Sequence, residues 1–178
     1  MSKRCRAALL WVVGTLALAA AIHYAVVVAY PRVVMASLMR RIEKAHGTNT
    51  LRHGSRPTSA DRVVVLPSPD LVYSIGVFDL SSGPLRITAP ASQSYMSLSL
   101  YAANTDNFFV MNDRQAEGGK FDLILVGPGA SDPGVEGVRL VRSPSQTGII
   151  LFRFFAPEGA PLDEIDALRR QIACTVLQ

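Results

Sequence analysis

The stretch from Pro67 to Asp113 decides the fold of this chain. It begins P-S-P-D-L-V-Y-S-I-G-V-F-D-L-S-S-G-P at residues 67–84 and ends L-Y-A-A-N-T-D-N-F-F-V-M-N-D at residues 100–113. Runs of β-branched, aromatic and aliphatic residues alternate here with turn residues such as Ser, Gly and Pro. This alternation predicts consecutive strands joined by tight turns.

The β pattern continues on both sides of this stretch and is followed by one helix. Leu162, Ile165, Leu168 and Ile172 predict the helix through their spacing, and Cys174 falls near its end as a half-buried small hydrophobe or a thiol open to intermolecular pairing. The predicted strands are Arg62–Leu66, Leu71–Leu80, Leu85–Ala89, Tyr95–Tyr101, Phe108–Met111, Phe121–Val126, Val138–Val141 and Ile149–Phe155. We therefore predict a mainly β (α+β) domain, an antiparallel β-sandwich-like or partly open barrel, with one C-terminal helix.

An apolar segment long enough to cross a membrane precedes the β pattern. Ala7 to Tyr30 contains no charged residue, and a helix of that length extends about 36 Å against a hydrocarbon core of about 30 Å. Lys3, Arg4 and Arg6 precede it and favour a cytoplasmic N-terminus. We expect a single transmembrane helix in the inner membrane, with the C-terminal domain in the periplasm.

A cleaved signal peptide is the alternative interpretation, because Ala17-Leu18-Ala19 fits a cleavage pattern. The apolar run is longer than the usual core of a signal peptide, which favours an uncleaved span. The predicted organisation is a cytoplasmic N-terminus at 1–6, the transmembrane helix at 7–30, an amphipathic stem and linker at 31–61, and a β-rich domain at 62–178.

Charge is distributed unevenly between the two halves. Residues 1–56 hold nine basic residues and one acidic residue, whereas residues 57–178 hold nine basic and thirteen acidic residues. Basic residues beside an apolar span typically meet anionic lipid head groups. The sequence therefore predicts a membrane partner and no nucleic-acid partner.

Several kinds of catalytic site are absent from the predicted β domain. The histidines are His23, His46 and His53, all before residue 62, so residues 62–178 alone cannot supply a Ser-His-Asp triad. No Cys/His spacing suits zinc, and no glycine pattern suits a phosphate or dinucleotide. We predict no cofactor and no metal, and the sequence favours a protein that is not an enzyme.

A set of polar residues remains as the candidate ligand-binding site. Carboxylate, phenol and amide groups of this kind can act as general acid and base or can coordinate a hard cation. The alternative is structural, with residues 104–107 forming an Asx-type turn and Asp70 capping a strand. The candidates are Asp70, Tyr73, Ser74, Asn104, Asp106, Asn107 and Arg114, with Asp79, Thr105 and Asp113 nearby.

Several motifs in this order resemble the bacterial family called domain of unknown function 1254. They are P-D-L-V-Y-S, F-D-L-S-S-G-P-L-R-I-T-A-P, N-T-D-N-F-F-V-M-N-D-R, L-V-G-P-G and S-P-S-Q-T-G-I-I-L-F-R, within residues 49–174. The chain is most similar to short, membrane-anchored forms, which lack the second β-rich domain of longer relatives, domain of unknown function 1214. The resemblance implies an envelope protein that binds or assembles with a separately encoded partner carrying that second domain. An extracytoplasmic enzyme or ligand-binding protein that uses the Asp/Tyr/Asn cluster is the alternative, and lipid handling by the basic stem is a third.

Overall fold

A computed structural model describes residues 2–58 and 67–177 of the chain. The first element is α1 (Lys3–His46), one continuous helix that passes through Pro31. The predicted span and the first part of the predicted stem therefore form a single rod. The apolar part of this helix is exposed, and the helix is long and apolar enough to cross a membrane.

Two packed β-sheets follow α1, together with one short helix, α2 (Leu162–Arg169). In spatial order, the five-stranded sheet contains β1 (Arg52–His53), β2 (Leu71–Asp79), β8 (Thr147–Phe155), β4 (Met96–Ala102) and β5 (Asn107–Asn112). The four-stranded sheet contains β7 (Arg139–Arg142), β6 (Lys120–Val126), β3 (Leu85–Pro90) and β9 (Ala173–Val176). All pairs are antiparallel except β6 with β7.

The hydrophobic core lies between the two sheets. Phe152 of β8 contacts Phe121 of β6 edge to face, with ring centroids 6.0 Å apart, and also stacks on Phe154 at 6.3 Å. All three rings are buried. Inward side chains alternate along each strand with outward ones, as the sequence pattern requires.

The structure confirms the predicted mainly β fold. Each predicted strand from residue 71 onward is present with nearly the predicted bounds, and the late helix is present. The described strands form two separate sheets rather than a closed barrel, which selects the sandwich-like alternative. The predicted strand Arg62–Leu66 lies outside the described residues.

The C-terminal helix is shorter than the sequence pattern indicates. It ends at Arg169, and Ala173–Val176 instead forms β9, which pairs with β3. Cys174 therefore lies in a strand and packs against the core as a free thiol. Burial raises the pKa of the Cys174 thiol to about 12. Ile172 continues the helical spacing, but the helix ends before it. The backbone hydrogen bonds between β9 and β3 stabilise a strand more than one further apolar position would stabilise the helix.

The five-stranded sheet begins before residue 62, where the sequence predicts the β-rich domain to start. His53 of β1 pairs with Ser74 of β2. Between α1 and β1, the Asn49 N–H donates to the Val77 carbonyl oxygen at 2.7 Å. Asn49 Nδ2 donates to the Asp79 carbonyl oxygen at 2.9 Å, and Asn49 Oδ1 accepts from the Asp79 N–H at 2.9 Å. These bonds attach the end of α1 to the end of β2.

Candidate functional site

The end of α1 covers part of the outer face of the five-stranded sheet. Because side chains alternate along a strand, Ile75 of β2 and Leu151 of β8 face away from the core, and the two residues are register partners. Met35 of α1 lies after the predicted span and is buried, with 6% of its surface exposed. The helix therefore packs on the sheet by its C-terminal turns.

A groove remains between α1 and this sheet face, and we call it the stem groove. Its volume is about 600 Å³, and most of its lining is apolar. Because α1, the β1 segment and three strands all contribute, distant parts of the chain meet here. The lining residues are Met35, Leu38, Ile42, Arg52, Gly54, Ser55, Pro57, Pro67, Tyr73, Ile75, Tyr101, Thr105, Ile149, Leu151 and Arg153.

Arg153 places a positive charge in this apolar surface. Its Nη1 donates to Ser99 Oγ at 3.0 Å, and its Nη2 donates to Tyr101 Oη at 2.9 Å. The guanidinium is half-buried. Among the residues that the structure describes, no carboxylate forms an ion pair with it. The two neutral oxygens orient the guanidinium without neutralising its charge.

Arg169 of α2 holds in place the part of the groove wall that the residues after β1 form. Arg169 is 3% exposed, and its Nη1 donates to the carbonyl oxygens of Gly54 at 2.7 Å and Tyr73 at 3.2 Å. Its Nη2 forms an ion pair with Asp166. A buried arginine thus connects α2 to β1 and β2, which fixes Gly54 and Tyr73 at the groove.

His53 joins the domain through β1 and lies beside Ser74. His53 Nδ1 and Ser74 Oγ are 2.8 Å apart. Desolvation by burial, followed by the nearby positive charge of Arg169, lowers the pKa of His53. Ser74 is fully buried, so a substrate cannot reach its hydroxyl. The pair is therefore a structural hydrogen bond that the sequence pattern, which assigns His53 to the linker, does not predict.

The candidate residues around β2 separate in the structure. Tyr73 lines the stem groove, and its Oη accepts a hydrogen bond from the Ser68 N–H at 3.1 Å. Asp70 is exposed just before β2, and its carbonyl oxygen accepts from the Ala156 N–H at 2.8 Å. Asp79 lies at the other end of β2, where its Oδ1 accepts from the Ser81 N–H at 2.9 Å.

Residues 104–107 form a turn between β4 and β5. Asn104 Oδ1 accepts from the Asp106 N–H at 3.2 Å, and Thr105 has a φ of 78°. This is the Asx-type turn that the structural alternative describes. Asn107 opens β5 and is exposed, and Thr105 lines the stem groove.

Arg114 and Asp113 lie at the opposite end of β5, in a 3-10 turn at Asp113–Gln115. Asp113 Oδ1 accepts from the Met96 N–H at 3.1 Å, and Arg114 is exposed. In the described structure the candidate set does not share one cleft. A ligand-binding role for its members stays a prediction, and Tyr73 and Thr105 are those that reach the groove.

Arg153 has the most distinctive position in the groove, and the sequence pattern does not predict its role. The detectable signal is an arginine inside the apolar run Ile149–Phe155. The spacing of Leu38 and Ile42 on α1 also indicates an apolar face, but it does not indicate what that face covers.

A second polar cluster lies on the other sheet, where Arg86 pairs with Asp122 at 2.9 Å and Lys120 adds a contact at 3.1 Å. The hydrogen bond from Arg86 lowers the pKa of the Asp122 carboxyl, more than its partial burial raises it. Within residues 2–58 and 67–177, no group of three or more His, Cys, Asp and Glu side chains is placed to hold a metal ion.

The fold and the groove define a class of protein: a two-sheet β domain that follows a helix long and apolar enough to anchor it in a membrane. The chain belongs to the family described as Protein of unknown function (DUF1254), whose profile matches residues 48–176. A search of curated proteins finds no match.

Two solved structures share the fold. The VPA0106 protein from Vibrio parahaemolyticus is 13% identical, with a TM-score of 0.67 over 86% of this chain. An uncharacterised protein from Burkholderia cenocepacia is 15% identical, with a TM-score of 0.53 over 81% of this chain. The match spans 37% and 38% of those chains, so each contains a large part beyond the shared domain.

Proposed function

We propose that the chain is a single-span membrane protein whose β domain binds an apolar or amphipathic ligand in the stem groove. The observation that carries this proposal is the groove itself, about 600 Å³ in volume and lined mainly by apolar side chains. Ligand sites in proteins occupy roughly 300–1,000 Å³ and combine an apolar lining with a few polar groups. Arg153, Tyr73 and Tyr101 are those polar groups.

The position of the groove beside the span supports a ligand that comes from the membrane. Met35 follows the predicted end of the span, Tyr30, by five residues. At 1.5 Å per helical residue this is about 8 Å, which is comparable to the thickness of the head-group layer. The near end of the groove therefore borders the bilayer surface, where amphipathic molecules concentrate.

Filling the groove should remove binding. We expect the full chain in lipid nanodiscs to form saturable adducts with a photoreactive long-chain alcohol, at peptides that contain Leu38 or Leu151. Leu151→Trp fills the groove and should lower adduct formation there by about tenfold, equivalent to about 1.4 kcal/mol. Peptide mass spectrometry measures the adducts.

Val110→Trp is the matched control. Val110 is 53% exposed on β5 of the same sheet and does not line the groove. This variant should label like the unchanged protein. Adducts confined to residues 7–30, or equal labelling of both variants, would contradict a ligand site in the groove.

We propose a second role, in assembly with a separately encoded protein that carries domain of unknown function 1214. Among the described strands, β5 is an edge of the five-stranded sheet, with a neighbour on one side only. Edge strands accept a further strand through their free backbone groups. The solved structures also place this fold beside a larger remainder within one chain, which supports a neighbour of this kind.

The same proposal places the N-terminus in the cytoplasm and the β domain in the periplasm, supported by Lys3, Arg4 and Arg6 before the span. A lysine-reactive cross-linker that cannot cross a bilayer tests location and partner together on intact spheroplasts. Lys120 is 61% exposed and is the one lysine of residues 57–178. Lys44 follows the span and lies on the same side of the membrane, so the experiment uses a Lys44→Arg background. We expect a larger cross-linked species there, detected by immunoblot, which Lys120→Arg should abolish.

The outcomes of this experiment separate the two claims. Reaction of Lys120 only after the bilayer is permeabilised would contradict the orientation. Reaction from outside without a larger species would contradict the partner. An enzymatic role for the Asp/Tyr/Asn set remains the alternative to binding, and Tyr73 at the groove is the member of that set that a bound ligand would meet.

A further inference from the structure

We infer that the stem groove selects an anionic amphiphile, with Arg153 binding its carboxylate or phosphate group and the apolar lining holding its hydrocarbon chain. This inference rests on the proposed ligand-binding function and names the class of ligand. It adds a role for the charged residue that the apolar lining alone does not explain.

Arg153 carries a charge that no described acidic residue neutralises. A guanidinium that is partly withdrawn from water normally pairs with an acid, because desolvating an unpaired charge is costly. Arg153 instead contacts two neutral oxygens, those of Ser99 and Tyr101. A guanidinium has five N–H donors, so three remain for a ligand. Carboxylate and phosphate groups are the acceptors that fit this donor geometry.

The charged residues of the described lining are all basic. Arg52 is the other charged residue at the groove, and none of its described lining residues is acidic. A groove whose described lining contains two cations and no anion favours a negatively charged ligand and disfavours a positively charged one.

Apolar side chains of β8 and β2 lie beside Arg153 on the outer face of the sheet. Leu151 and Ile149 precede Arg153 on the same face at intervals of two residues, about 7 and 13 Å away at the usual strand rise. Ile75 lies opposite Leu151 in the register, and Tyr73 lies opposite Arg153. On the β4 side, Ser99 lies opposite Leu151 and Tyr101 opposite Ile149, and their hydroxyls hold the Arg153 guanidinium. The sheet surface is therefore apolar on the β2 side of Leu151 and polar on the β4 side, as an amphiphile with one charged end requires.

Competition among ligands that differ only in the head group tests the inference. The full chain in nanodiscs is labelled with the photoreactive long-chain alcohol, and a carboxylate, a phosphate monoester, an alcohol and an amine of equal chain length compete. We expect the carboxylate or the phosphate monoester to compete at a concentration at least about tenfold lower than the alcohol. The amine should compete least. A stronger carboxylate indicates a free fatty acid, and a stronger phosphate indicates a lipid head group.

Variants at Arg153 connect this preference to one side chain. Arg153→Gln should make anionic and neutral competitors equal within about twofold. Arg153→Lys, which keeps the charge, should restore part of the preference. Arg139→Gln removes an exposed arginine from the other sheet and should change nothing.

Two failures are distinguishable. Equal competition by alcohol and carboxylate in the unchanged protein would overturn the anionic ligand and leave the groove as a site for neutral apolar molecules. Absence of any groove adduct would overturn the proposed binding function itself. A preference that persists in Arg153→Gln would show that another group recognises the anion and would refute the role of Arg153.

Discussion

Replacement of Phe152 by alanine is expected to lower the free energy of unfolding by about 3–5 kcal/mol, the range for removal of a fully buried aromatic ring. Phe152 is completely buried and contacts Phe121 of the other sheet and Phe154 of its own strand. Alanine would leave a cavity at the contact between the two sheets. The variant loses both the hydrophobic transfer free energy of the ring and its packing contacts.

Pulse proteolysis of the full chain in a mild detergent, across a urea series, measures this loss. Phe155→Ala is the matched control, since Phe155 lies in the same strand and is 43% exposed. We expect that control to lose less than about 1 kcal/mol, as surface substitutions usually do. Similar losses for the two variants would contradict a core between the sheets at Phe152.

Replacement of Gly148 by alanine is expected to cost about 3 kcal/mol, at the upper end of the usual range for overpacking. A Cβ at this position would overlap the carbonyl oxygen of Tyr101 and would lie 2.5 Å from the Phe78 ring. Neither can retreat easily, because Tyr101 belongs to the adjacent strand and Phe78 is completely buried. The strands β4 and β8 must therefore separate locally.

Gly148→Ala should also reduce ligand binding in the stem groove. Tyr101 Oη accepts a hydrogen bond from Arg153, so displacement of Tyr101 releases the guanidinium. The same urea series, with photolabelling at the groove as a second readout, measures both effects. Gly54→Ala is the control for the urea series, since its added Cβ would meet the Tyr73 carbonyl oxygen at an ordinary 3.5 Å. Gly54 lines the groove, so Val110→Trp is the control for photolabelling. A loss below about 1 kcal/mol for Gly148→Ala would contradict the close approach of β4 and β8.

The strands were predictable because their signal is local. In β3, Leu85, Ile87 and Ala89 alternate with more exposed residues, and this period of two is visible without knowledge of the partner strands. The strands β1 and β9 were not predictable in the same way. Ala173–Val176 comes directly after apolar residues that have helical spacing. It forms a strand because it pairs with the free edge of β3.

The candidate site was less predictable than the fold. The polar residues from Asp70 to Arg114 suggest a site because they are close in sequence. In the structure, Asn104 and Asp106 form a turn, and Arg114 lies at the other end of β5. Tyr73, together with the neighbouring residue Thr105, is what the structure places at the groove. Polar residues close in sequence often serve turns, since short side chains bond their own backbone.

By itself, the sequence determined an apolar N-terminal helix, a mainly β domain and membership of one family, since each depends on local pattern or on motifs in order. The tertiary structure alone decided that Met35 on α1 approaches Leu151 and Arg153 on β8, more than a hundred residues away. The physical reason is that period-two and period-3.6 patterns specify which face of an element is buried, whereas sheet order and helix docking specify what that face meets.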